Sequence, residues 1–206
     1  LRIRDFLRRL PARPVVSAFT ATATSRVRQD IRTSLELENP LETVTGFDRP
    51  NLYWEVRRGS KKKEQIRDYL AARREDSGII YCATRKNVDE LYLYLDSAGF
   101  SVGRYHAGME SPARKESQED FIYDRKRVMI ATNAFGMGID KSNVRFVLHF
   151  NMPQSLENYY QEAGRAGRDG EPASCILFYS PQDVVIDRIL LDSKVNEGEY
   201  TEEEWR

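Results

Sequence analysis

The stretch QEAGRAGRDG, residues 161–170, holds two arginines, three glycines and two acids. A guanidinium is always charged, and its planar fork of donors fits carboxylate or phosphate oxygens two at a time. Read as helix, Gln161, Arg165 and Arg168 fall at i, i+4 and i+7 and share one face. Two cations on one face repel unless they meet solvent or an anion. Two glycines inside such a helix, Gly164 and Gly167, each cost about 1 kcal/mol relative to alanine, which suits a place where something approaches the backbone closely. The pattern fits a surface that grips a polyphosphate, and it fits equally a solvated, charged helix end.

A second segment, VMIATNAFGMGIDKSNVRFVLHF at 128–150, runs from a buried-type strand ending at Thr132 into a glycine-bearing loop with Asn133, Asp140 and Lys141. A hydroxyl and free backbone N–H groups at a strand's carboxyl end can hold a nucleic-acid phosphate, and Asp140 can accept from a ribose hydroxyl. Taken alone, the segment is also an ordinary loop with turn glycines. YCATRKN at 81–87 repeats the arrangement with Thr84, Arg85 and Lys86 at a helix start, where anions are favoured. YHAGM at 105–109 places His106 and a glycine after another strand; a lone histidine is more often structural than functional. Three such loops on one predicted edge weigh more than any one of them.

Other chemistries lack support. No lysine has the preceding glycine of GxxxxGK[ST], GMGID at 136–140 lacks the third glycine of a dinucleotide fingerprint, and no nucleophile–base pair stands out. The two histidines, His106 and His149, give little basis for a metal site. Cys82 and Cys175 both lie in apolar runs without CxxC spacing, so they read as buried free thiols in a reducing compartment. The 32 basic and 32 acidic side chains cancel, which argues against a chain coated in positive charge but leaves room for a local nucleic-acid groove. No apolar run approaches the roughly 18 residues of a membrane span, and LRIRDFLRRL has no signal-peptide pattern. Opening on Leu1 inside a helical pattern suggests a piece of a longer chain.

The elements that must carry these groups follow from periodicity. Leu1, Ile3, Phe6, Leu7 and Leu10 form a helical stripe stopped by Pro11 and Pro14; PVVSAF (14–19) reads as a buried strand, and Ser25 as the cap of a helix to Leu35. A crossing loop spans 39–50. Strands are then expected at 52–56, 78–83, 100–105, 128–132, 144–150 and 174–179. Helices are expected at 62–72, 87–98, from Ser111–Pro112 to Tyr123, from Ser155 through Arg168 to a stop at Gly170, and from Ser180–Pro181 to about Leu191, before a frayed acidic tail at 197–204. Apolar strands alternating with helices imply a parallel sheet covered on both faces, with ligands at the strands' carboxyl ends.

Together, SAFTATAT (17–24), GFDRPNLYWEV (46–56), IIYCATRKNVDEL (79–91), YHAGM, VMIATNAFGMGIDKSNVRFVLHF and QEAGRAGRDG resemble the second RecA-like lobe of a superfamily 2 helicase, and closely the RecQ family. AFGMGIDK with QEAGRAGRDG is highly specific, and FDRPNL points to RecQ. The resemblance implies an α/β fold, a RecA-like three-layer αβα architecture with a mainly parallel sheet. It divides the chain into a remnant of the first lobe (1–45), the second lobe (46–192) and an acidic tail (193–206) leading to downstream domains.

By resemblance, SAFTATAT is motif III, YCATRK motif IV, the loop after 128–132 motif V and QEAGRAGRDG motif VI. Arg168 then corresponds to the arginine finger, Arg165 to its companion and Gln161 to a further phosphate contact, with Gly138 and Asp140 also on the nucleotide side. Thr84, Arg85, Lys86, His106, Thr132 and Asn133 correspond to contacts along a DNA strand. The implied activity is ATP-dependent 3′–5′ DNA unwinding in repair and recombination, with single-stranded DNA and duplex junctions as substrates. The implied cofactor is ATP with Mg2+, bound mainly by a first lobe upstream of Leu1, where the P-loop lysine, the acidic magnesium motif and the aromatic-rich loop belong. Zinc would sit in a downstream module and not here. The first lobe and a single-strand binding protein are the implied partners, with no membrane, in the bacterial cytoplasm at the nucleoid or in a eukaryotic nucleus. This chain alone is expected to be inactive. Two other readings remain: a non-catalytic nucleic-acid-binding or regulatory lobe, and an RNA helicase lobe of the same superfamily.

Overall fold

The computed structural model describes residues 2–20, 23–44, 48–136, 139–185 and 188. The chain divides into two compact units, Leu1–Asp48 and Arg49–Arg206.

The second unit is built on six strands: β1 (Leu52–Arg58), β2 (Ser77–Tyr81), β3 (Val102–Tyr105), β4 (Val128–Ala131), β5 (Val144–His149) and β6 (Ala173–Tyr179). They pair in the order β1-β6-β5-β2-β4-β3, and every pairing is parallel. Unbroken apolar runs such as GIIY and VMIA are what a strand covered on both faces requires, and β2 and β4 are buried along their whole length. Four helices supply the cover: α3 (Lys62–Ala71), α4 (Arg85–Ser97), α5 (Ser111–Ile122) and α6 (Leu156–Ala163). Alternate residues of each strand go to opposite faces. Ile80, Ile130 and Leu148 therefore meet Ile66 and Leu70 of α3 and Val88, Leu91 and Leu95 of α4. Ile79, Met129 and Val147 meet Phe121 of α5 and Ala163 of α6 on the other side. The result is the three-layer αβα sandwich expected, with the sheet wholly parallel among the described residues.

Boundaries differ from expectation where capping decides. Helix α4 starts at Arg85 and not Asn87, because the Thr84 hydroxyl accepts the Asn87 N–H at 3.1 Å. Helix α5 starts at Ser111 itself, with Glu110 as a cap that makes no side-chain bond. The largest correction falls on α6. Ser155 caps it as expected, accepting the Asn158 N–H at 3.1 Å, but it ends at Ala163 with Gly164 as C-cap. Beyond that the chain descends through i to i+3 turns, Arg165 N–H to Glu162 O and Ala166 N–H to Ala163 O. Gly167 then takes a left-handed φ of +55° and donates its N–H to Val144 O of β5 at 2.8 Å. Gln161, Arg165 and Arg168 therefore do not share a helix face, and neither Gly164 nor Gly167 is helix-interior. A helix beginning at Pro181 is present to residue 185; its expected far end and the tail at 197–204 lie outside the described residues.

In the first unit, α1 (Arg2–Arg9) buries Leu7 and leaves Ile3 and Phe6 exposed. Helix α2 (Ser25–Ser34) is capped by Thr24, one residue before the expected Ser25. Arg8 pairs with Glu36, and Arg13 donates to the carbonyls of Leu35 and Glu36 just past α2. The strand expected at 14–19 is not formed. A strand exists through its ladder, and these residues pair with no other strand among those described; Val15 and Phe19 stand 97% and 95% exposed.

Candidate nucleotide and nucleic-acid interface

Because all six strands point the same way, their carboxyl ends lie along one edge of the second unit, and the candidate residues gather there. The arginine-bearing turn, residues 164–170, follows α6 and faces the loop after β4. The Arg165 guanidinium donates through Nη1 to the carbonyl of Gly136 at 2.5 Å. Gly136 has φ +123°, and a Cβ on it would stand 2.3 Å from Arg165 Cζ. The backbone is bare at that point because a guanidinium lies on it. Arg165 Nε is buried without a hydrogen-bond partner among the described residues. Burial pushes the neighbouring Tyr81 phenol up, while the Arg165 charge pulls it down; the Tyr81 hydroxyl donates to Phe135 O at 3.2 Å. Arg168 donates to Ile139 O at 2.9 Å and lies 3.3 Å from an Asp140 carboxylate that is 93% exposed.

The acids within the motif do not neutralise these two cations. Glu162 turns to the buried His149, with Oε2 2.9 Å from Nε2. Asp169 accepts from Arg145 at 2.5 Å, and that guanidinium holds its carboxyl below the usual range. Among the described residues Arg165 forms no ion pair at all, and Arg168 has only the exposed Asp140. Gln161 is exposed near the end of α6, and Gly138 lies outside the described residues.

The other set occupies neighbouring loops. Thr84 is spent on capping α4, while Arg85 and Lys86 are exposed in its first turn, Lys86 within 3.8 Å of Glu90. The Arg85 side chain lies over Gly108, where a Cβ would come within 3.2 Å of Arg85 Cδ. The loops after β2 and β3 therefore adjoin. His106 is not free for a phosphate. It is 6% exposed, its Nδ1 accepts the Gly108 N–H at 3.2 Å, and its Nε2 faces Asp89 at 3.2 Å. This is the structural role that a lone histidine more often has. Thr132 is buried, its N–H bonded to Tyr105 O and its carbonyl to the Phe135 N–H; Asn133, beside it, is exposed.

Sequence reasoning passed over several residues. Asn151 accepts the Ala83 N–H and an Asn87 amide proton and donates to Asp183, so it ties the Arg85 loop to the end of β5. Lys62 and Asp183 form a buried pair at 2.5 Å. Their 121-residue separation left no local signal. Among the described residues no three His, Cys, Asp or Glu side chains cluster to hold a metal ion.

The family profile of the helicase conserved C-terminal domain matches residues 61–170, from the start of α3 to the end of the arginine turn. The chain belongs to that family. Within it, the chain is similar in sequence to RecQ helicases. It is 47% identical over 195 residues to the ATP-dependent DNA helicase RecQ of Bacillus subtilis, a match covering 95% of this chain and 33% of that protein. It is 46% identical over 183 residues to RecQ of Haemophilus influenzae, covering 88% of this chain and 29% of the relative. The lobe thus spans about a third of the length of these relatives. Its fold resembles that of Saccharomyces cerevisiae Dbp5 bound to RNA and ADP BeF3, with a TM-score of 0.71 and 26% identity over 93% of this chain and 51% of that one. Among the described residues no helix of the lobe is long and apolar enough to cross a membrane.

Proposed function

We propose that this chain is the second RecA-like lobe of an ATP-dependent 3′–5′ DNA helicase, and that it supplies the arginine finger and contacts to the DNA backbone. One observation carries the reading: the motif's own acids are engaged by His149 and Arg145, which leaves Arg165 and Arg168 without local neutralisation except at an exposed carboxylate. Residues 1–45 are the end of the first lobe, which holds ATP and Mg2+. Arg168 is the residue that reaches the γ-phosphate. Its pair with Asp140 is exposed and therefore weak, so a phosphate oxygen can replace that carboxylate without moving the Ile139 carbonyl bond. Arg165, seated on Gly136 O, ties the turn to the loop after β4, whose Thr132 and Asn133 border the DNA track together with Arg85 and Lys86. When bound, ATP supplies the transferable phosphoryl group; the lobe's part is to place fixed positive charge where negative charge grows.

Arg168→Ala, in the protein carrying both lobes, lowers kcat for ATP hydrolysis by about 10³-fold or more and leaves ATP binding nearly unchanged. Loss of binding with unaltered turnover per bound nucleotide refutes the finger role. Stimulation of hydrolysis by single-stranded DNA but not RNA separates this reading from that of an RNA helicase. Residues 193–206 lead on to downstream domains, among them a zinc module. The whole protein works at the bacterial nucleoid or in a eukaryotic nucleus, where a single-strand binding protein is a fitting partner.

A further inference from the structure

Arg49 and Asn51, in the FDRPNL stretch just before β1, close on the backbone of the arginine turn more than a hundred residues away. Arg49 Nη2 donates to the carbonyls of Ala166 and Gly167, each at 2.9 Å, and Nη1 to that of Gly164 at 3.5 Å. Asn51 Nδ2 donates to the carbonyls of Gly167 and Glu171 at 2.9 and 3.0 Å, while its Oδ1 accepts from Arg49 Nε at 3.4 Å. These carbonyls lie beyond the last helical residue of α6, Ala163, where no helix ladder can take them, and a guanidinium fork and an amide supply the donors. The Gly167 N–H is held from the other side by Val144 O. Fit is close: a Cβ on Gly167 would stand 2.5 Å from Asn51 Nδ2 and 2.7 Å from Glu171 O. The carbonyls taken flank Arg165 and Arg168, whose side chains leave this fixed backbone toward Gly136, Ile139 and Asp140.

We propose that Arg49 and Asn51 are positioning residues for the arginine turn, holding the backbone from which Arg165 and Arg168 are aimed and touching no nucleotide themselves. The proposal rests on the reading of Arg168 given above. Misplacing a reacting group by an ångström costs about a hundredfold in rate, so a clamp of this kind acts on kcat.

The test is steady-state hydrolysis in the protein carrying both lobes. Arg49→Ala lowers kcat by about ten- to a hundredfold, with KM for ATP and single-strand affinity within about twofold of their original values. Asn51→Asp keeps the volume but puts acceptor against acceptor at Gly167 O and Glu171 O, and it lowers kcat in the same way. Arg49→Lys keeps the charge without the fork and falls between. Because the clamp acts through Arg168, Arg49→Ala combined with Arg168→Ala loses no more than Arg168→Ala alone. Full kcat in Arg49→Ala and Asn51→Asp beside a disabled Arg168→Ala overturns the clamp and leaves the finger reading standing. Full kcat in Arg168→Ala overturns the finger reading, and the clamp's role falls with it. Losses that multiply in the double variant, or a kcat loss that tracks a lowered Tm and lost DNA binding, show general destabilisation and also overturn the proposal.

Discussion

Gly136 shows how much of the site is decided by a single missing Cβ. Its φ of +123° is closed to side chains without strain, and the Arg165 guanidinium fills the space a Cβ would need. Gly136→Ala therefore unseats Arg165 and deforms the loop after β4. We expect weaker coupling between the two ligands: stimulation of ATP hydrolysis by single-stranded DNA in the two-lobe protein falls by about tenfold, while the lobe's Tm falls by only a few degrees. An unchanged stimulation would show that the Gly136–Arg165 contact is incidental. The arginines, glycines and exposed basic loop residues were legible as types in the sequence. What each one touches was not. Glycine spacing announces close approach but does not say what approaches, and the partner of Gly167 proved to be Asn51, reachable only through the fold.

At the scale of elements, the alternation of apolar strands with helices was legible because a doubly covered strand must be apolar throughout. The end of α6 was not. Helical periodicity carries on through Gln161, Arg165 and Arg168, but carbonyl acceptors supplied to Arg49 and Asn51 and the N–H bond to Val144 stabilise the unwound form. The run at 14–19 shows the opposite failure: strand composition without a strand, because composition supplies faces and only a neighbour supplies a ladder. In the sheet itself the tightest approach is at Gly78 of β2, where a Cβ would come within 2.0–2.2 Å of the Phe146 ring on β5. Gly78→Ala must displace a fully buried ring. The expected cost is about 1–3 kcal/mol, read as a lowered urea midpoint with unchanged m-value. A midpoint equal to that of the parent would mean the ring has room that the packing does not show.

For the whole molecule, the two cysteines report on the integrity of both faces of the sheet. Cys82 packs on the α3–α4 side and Cys175 on the α5–α6 side. Burial pushes the Cys175 thiol up to about 12 and raises that of Cys82 as well. An unfolded thiol ionises near 8.5. Above that pH the unfolded chain sheds protons that the folded chain keeps, so stability is fully present below about 8.5 and declines as pH rises toward the folded value. Urea midpoints should fall accordingly between neutral pH and about pH 10, less steeply in Cys175→Ala. Both thiols should resist alkylation until the sheet opens; rapid labelling of the native protein at neutral pH would contradict their burial.

The sheet order has a further consequence for how the polypeptide is made. β1 is the first strand of its unit to be synthesised, and its sole neighbour among the described residues is β6, the last, with Leu52 opposite Ala173. On the ribosome, Leu52 and Trp54 must wait unpaired until the segment ending at Tyr179 has emerged. Nascent chains stalled short of that point should therefore be the ones that recruit chaperones and are clipped by proteases near Trp54.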